Sequence, residues 1–156
     1  MTYKDKIEKA REQGIEIPVW ILERERQQIA GIYKFCYYKP NNPNDEGCFY
    51  VGKSSSLVYR LLNSAGGHIH LFLNNYLDNN LVPTKINEYL NNGYCIKVVI
   101  KEVKYNDTSF SRAAHRLALA ELQEIVSCQK KGQCLDQLPE GVGEDEEKFW
   151  KENYKD

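Results

Sequence analysis

Two short runs rich in β-formers, "GIYKFCYY" from residue 31 and "CFYVG" ending at Gly52, flank the polar stretch "KPNNPNDEG". Aromatic and β-branched residues fit a pleated surface, whereas Pro, Asn, Asp and Gly in one stretch break it, so the pattern predicts a β-hairpin with a longish loop. The chain must then leave the second strand at Gly52. "LVYRLLNSA" follows, with serines 54 to 56 to cap a helix and Gly66-Gly67 to end it. Arg60 falls about one turn into that helix.

The remaining elements are read by period and punctuation. Residues 1 to 13 suit a polar helix, and Pro18 is placed to open a second one over "PVWILERERQQIA". "HIHLFLNNYLDNN" and "TKINEYLNNG" read as helices, and "YCIKVVIKEV" as a third strand. Ser109 or Ser111 can cap "FSRAAHRLALAELQEIVSCQ", whose Phe110, Ala114, Leu117, Ile125 and Cys128 form one apolar face. Glu121 falls within that face, where a carboxylate costs free energy unless something compensates it. After it come a loop and a short helix with an acidic first turn.

The 156 residues suffice for one domain with a real core, and 42% hydrophobic with 28% charged residues is a globular composition. No apolar run is long enough to span a bilayer, and the charged start "MTYKDKIEKAREQG" has no secretory core, so a cytoplasmic protein is expected. The formal net charge of −1 does not advertise nucleic-acid binding, although Lys53, Arg60, Lys85, Lys97, Lys101, Lys104, Arg112 and Arg116 could form a local basic face. The five cysteines are odd in number and lack a C-x-x-C pair. Neither a disulfide framework nor a zinc site is favoured, and Cys36, Cys48 and Cys95 read as small buried hydrophobes.

"GIY" at 31 to 33, "YVG" at 50 to 52, Arg60 eight residues beyond Gly52, and Glu121 on a later helix together resemble the GIY-YIG nuclease superfamily. The resemblance covers residues 29 to 128 and implies an α/β (α+β) domain with a central three-stranded antiparallel sheet flanked by helices. On that reading residues 1–28 are an N-terminal helical extension, 29–128 the nuclease domain, and 129–156 a C-terminal loop and short helix, all in one compact unit. The resemblance also implies metal-dependent hydrolysis of phosphodiester bonds in DNA. Tyr33, Tyr50, Arg60 and Glu121 match the family's catalytic positions, Glu121 being the metal ligand. Two positions depart from the pattern: Ser64 stands where many members have histidine, and Asp136 is the nearest candidate for a missing asparagine. His68 and His70 follow shortly after and could reach the site.

The chemistry suits these residue types. One carboxylate can anchor Mg²⁺, or Mn²⁺, which retains waters and accepts a phosphate oxygen. Arg60 offers a planar fork matched to phosphate. Tyr33 is expected to take a proton from the attacking water, given cationic neighbours to lower a pKa near 10, while Tyr50 positions phosphate or water. Lys53, His68, His70 and Lys85 are candidate phosphate or DNA contacts. Each residue taken singly has a plainer account: strand packing for the tyrosines, a surface helix for Arg60, a buried ion pair with Arg112 or Lys85 for Glu121. The competing function is a GIY-YIG-like module that binds nucleic acid or protein without cutting. A homodimer would let such an enzyme cut both strands, but the sequence leaves oligomeric state open.

Overall fold

A computed structural model describes residues 1–24, 28–143 and 145–156. The expected hairpin forms one side of the sheet, with its second strand at the edge. Strand β2 (Gly31–Lys39) pairs antiparallel with β3 (Asn42–Ser54), and on its other side antiparallel with β4 (Cys95–Glu102). The turn between β2 and β3 is tight, at Pro40 and Asn41, so most of the polar stretch read as a loop is extended and belongs to β3. Backbone pairing with Tyr38 and Lys39, interrupted by a register shift, holds it there despite its poor β-propensity.

The sheet is not the three-stranded antiparallel one expected. It has four strands in the order β1-β4-β2-β3, because β1 (Ile15–Glu16) pairs parallel with β4. A strand of two residues carries no readable alternation. Its cause lies one residue earlier: Gly14, at φ +95°, turns the chain out of helix α1 (Tyr3–Glu12), and its carbonyl accepts a hydrogen bond from the Ile96 N–H at 2.8 Å. The helix expected from Pro18 is also replaced. Pro18 precedes only a 3-10 turn, Val19–Leu22, whose Ile21 is fully buried; the rest of that expected helix includes residues 25 to 27, which lie outside the described residues.

Helices cover both faces of the sheet. On one face α1, α2 (Leu57–Leu62), α3 (His68–Leu73) and α4 (Leu81–Asn91) enclose a core that includes Ile7, Phe35, Leu61, Ile69 and Ile86. On the other, α5 (Phe110–Lys130) and α6 (Glu146–Asn153) bury Ile32, Val51, Leu117, Ile125 and Trp150. Ser109 caps α5 as expected, its hydroxyl accepting from the Arg112 N–H. α3 is shorter than its apolar pattern suggested, since Asn75 and Asn79 adopt left-handed conformations, φ 60° and 64°, that end the helical run. The chain ends are integral to the packing: Lys6 of α1 is buried, and the Trp150 indole donates to the Tyr105 carbonyl at 2.8 Å. Among the described residues no helix is long and apolar enough to cross a membrane.

Candidate anion-binding and metal-binding site

The two glycines of the paired tripeptides have steric reasons. A side chain at Gly31 would strike the Lys101 carbonyl of the neighbouring strand, and one at Gly52 would occupy the space of the Tyr33 ring. Gly52 thus lets the fully buried Tyr33 lie flat across β3, with the Tyr50 ring centroid 6.1 Å away on the same face. Tyr33 Oη is the centre of the polar network. It lies 2.9 Å from His68 Nε2, at the start of α3, and accepts from Arg60 Nε of α2 at 3.4 Å. In the tautomer that carries the imidazole proton on Nδ1, the phenol donates to His68 Nε2 while accepting from Arg60.

Burial and the adjacent Arg60 charge push the His68 pKa down to about 3, so the ring is neutral at physiological pH. Tyr33 is shifted the opposite way from the sequence expectation. Burial, reinforced by Tyr50, raises its pKa far above the usual tyrosine range, and Arg60 offsets only part of this. In this arrangement Tyr33 is a neutral phenol with a neutral acceptor already on its proton. Tyr50 is raised to about 12 by burial and then by the carboxylate of Glu140.

Glu140 was not among the residues singled out by sequence. It arrives on the loop after α5, and its Oε1 accepts from Tyr50 Oη at 3.1 Å and stands 3.9 Å from Arg60 Nη2. Its backbone N–H donates to Glu121 Oε1 at 3.0 Å, and Lys53 Nζ donates to the next carbonyl, Gly141 O, at 3.2 Å. The loop is strapped to the free edge of β3 by glutamines. Gln133 Oε1 accepts from the Cys48 N–H, while Gln137 accepts from the Val51 N–H and donates back to the Val51 carbonyl. A carboxylate therefore rests where Tyr50 and Arg60 converge, as an anionic ligand would.

Glu121 is fully buried, as its place on the α5 stripe suggested, and its Oε2 has no hydrogen-bond partner among the described residues. Burial raises its pKa, against the lowering effects of the Glu140 N–H and the nearby Lys53 charge. Neither partner considered from sequence pairs with it: Arg112 bonds Asp107, and Lys85 lines a neighbouring cleft with Tyr89, Cys134 and Asp136. A buried carboxylate with one idle oxygen fits a hard divalent cation that keeps its own waters, and Glu121 is the residue that could hold one.

The other candidates separate cleanly. His70 meets Asn74 and lines neither cleft beside Arg60; Ser64 accepts from Lys6 Nζ at 3.1 Å; Asp136 is exposed. Arg116, like Arg112, is tied to Asp107, and Lys101 to Glu124, so these parts of the expected basic face carry partners of their own. Arg60 instead borders two open clefts of about 360 and 240 Å³, one shared with Lys53 and Glu140, the other with Tyr50 and His68. The chain matches no protein-family model, no curated protein and no solved structure.

Proposed function

We propose that the protein is a metal-dependent DNA endonuclease of the GIY-YIG type, hydrolysing phosphodiester bonds. The observation that carries this reading is the network in which Arg60 and neutral His68 share the hydroxyl of Tyr33, packed on Gly52 beside Tyr50. A phosphate displaces the Glu140 carboxylate and takes its place against Arg60 and Tyr50. The guanidinium fork then binds the non-bridging oxygens and neutralises the charge that grows on them. Tyr33 Oη takes a proton from the attacking water while passing its own to His68 Nε2. This relay avoids a free phenolate, which the burial of Tyr33 disfavours; burial and the Arg60 charge oppose the imidazolium in the free protein, so His68 holds the proton only while the anionic phosphate lies against Arg60 and offsets that charge. The water oxygen forms the new bond to phosphorus as the bond to the departing sugar oxygen breaks.

Glu121 would hold Mg²⁺, or Mn²⁺, through its unpartnered oxygen, and the bound ion supplies charge neutralisation at the phosphate. His68 supplies the histidine that Ser64 does not. The test is cleavage of supercoiled plasmid and of a branched duplex in Mg²⁺ by wild-type protein beside Glu121→Ala. Nicked or linear product from wild type alone is expected. If both proteins are folded and bind DNA yet neither cuts, the reading gives way to a GIY-YIG-like module that binds without cleavage, for which the Glu140 carboxylate against Arg60 is the favouring observation.

A further inference from the structure

On the α5 face of the sheet, away from Tyr33, three of the five cysteines meet and a fourth stands beside them. Cys36 on β2 and Cys48 on β3 are register partners, Cys128 lies in the last turn of α5, and Cys134 follows in the loop. The sulfurs of Cys48, Cys128 and Cys134 all lie within 4.8 Å of one another, and Cys48 and Cys134 are 3.8 Å apart. Cys36, across the hairpin from Cys48, lies outside that group of three. Zinc–sulfur bonds of about 2.3 Å in a tetrahedron place the sulfurs about 3.8 Å from one another. The cluster is already near that spacing.

Apolar packing alone accounts for a single buried cysteine, but not for this backbone. Cys134 holds φ 54°, a left-handed conformation uncommon outside glycine, directly after the turn at Gly132. That conformation is accompanied by a sulfur turned inward onto Cys48, whose carbonyl it also reaches at 3.5 Å. Cys95, the fifth cysteine, lies elsewhere, beside Tyr38.

We propose that Cys48, Cys128 and Cys134 bind one Zn²⁺ in a tetrahedral thiolate site, with Cys36 closing in from the neighbouring strand as the fourth ligand. Soft thiolates select zinc over the hard cation suited to Glu121, so the two sites do not compete. Binding converts four thiols to thiolates and releases four protons to solvent. Lys97, the register partner of Cys36 on β4, brings a positive charge to the doubly negative complex, whereas Lys34 is already paired with Glu124 at 3.3 Å. The ion has a route in, since Cys48 and Cys134 line an open cleft of about 440 Å³. Its structural effect is to pin the end of α5 and the start of the Gln133–Glu140 strap to the hairpin.

The site is tested by zinc content of the full chain after growth in zinc-supplemented medium and desalting. One zinc per chain is expected, retained in Cys95→Ser and Glu121→Ala and lost in Cys128→Ser and Cys134→Ser. Metal-stripped wild type titrated with Co²⁺ should develop thiolate-to-cobalt charge-transfer absorption and tetrahedral d–d bands that saturate at one equivalent. Loss of one ligand in Cys134→Ser should weaken affinity more than about 100-fold, beyond the effect of outer-shell changes. Folded wild type that keeps no zinc and gives no cobalt bands overturns the proposal, as does full retention by Cys134→Ser or a Cys48–Cys134 disulfide in protein prepared without reductant. Should Cys134→Ser fail to fold, the wild-type cobalt titration decides alone. None of these readouts depends on nuclease activity.

Discussion

Glu140→Gln isolates the charge that rests against Arg60 while keeping the side chain's size and its hydrogen bond to Tyr50. The carboxylate oxygen is 3.9 Å from Arg60 Nη2, and two unit charges at that distance attract by about 1 kcal/mol in water and about 4 kcal/mol at an effective dielectric of 20. Both side chains are more than a third exposed, 40% for Arg60 and 36% for Glu140, so the lower figure applies. A phosphate arriving at Arg60 must overcome that attraction. Neutralising Glu140 should therefore tighten binding of a phosphate-bearing ligand by about 1 kcal/mol, or about fivefold. Glu140→Ala also frees the Tyr50 hydroxyl, adding about 1 kcal/mol more and bringing the gain to about 30-fold. The assay is fluorescence anisotropy of a labelled duplex in EDTA at fixed low salt, which excludes any effect through a bound cation. Glu147→Gln is the control, because it removes the same charge from an exposed pair with Lys151 on α6. If Glu140→Gln binds no tighter than Glu147→Gln, the carboxylate is not occupying an anion seat and the displacement step is wrong.

Further predictions concern the same network. Arg60→Ala should lower kcat by about 10² to 10³ with the fold intact by circular dichroism, and Arg60→Lys should recover little of it because a single ammonium lacks the fork. Tyr33→Phe should cost about 10² to 10⁴ in single-turnover cleavage if the phenol relays the proton, and equal rates for the two proteins would remove Tyr33 from the chemistry. The raised pKa of Glu121 means the folded state holds its proton more tightly than the unfolded chain, so its contribution to stability is present below the ordinary glutamate pKa and lost as pH rises above it. Glu121→Gln should accordingly raise the metal-free Tm at neutral pH by about 2 to 4 °C per kcal/mol relieved, and a lower Tm would contradict a strained carboxylate. For His68 the sign reverses. Its folded pKa of about 3 lies below the unfolded value, so stability falls as pH drops from about 6.5 towards 3, by up to about 1.4 kcal/mol per unit. Urea titrations should show that slope flattened in His68→Gln, which retains an acceptor for Tyr33.

What the sequence discloses here depends on whether a signal is local. The hairpin, β4 and the capped helix α5 each carry their own period and boundary, and the glycines at 31 and 52 sit where close approach requires them. β1 has no signal of its own, because a two-residue strand has no alternation and exists only through its pairing with β4. Pro18 misled, since a favourable first helical residue does not supply the packing that sustains a helix, and only Ile21 of the ensuing turn is buried. In the site, Tyr33, Tyr50, Arg60 and His68 come together, and Glu121 joins them through one backbone N–H of Glu140. Glu140 itself lies in "QLPEGVG", where nothing local indicates a partner 90 residues earlier in the chain. The cysteines gave no C-x-x-C signal because their meeting point is set by strand register and the end of α5, not by spacing.

The glutamine strap along β3 has a consequence for solubility. Gln133 and Gln137 bond the Cys48 N–H and both polar backbone groups of Val51 in the manner of a neighbouring strand. A strand edge with unpaired N–H and C=O groups is a template on which another chain can add itself. Because Glu140 rides on the same loop, a movement large enough to pull the strap from β3 while vacating Arg60 would also expose that edge to self-association. Emptying the anion seat by side-chain rotation alone would leave the edge covered, and the chain would then exchange ligands without risking a filament.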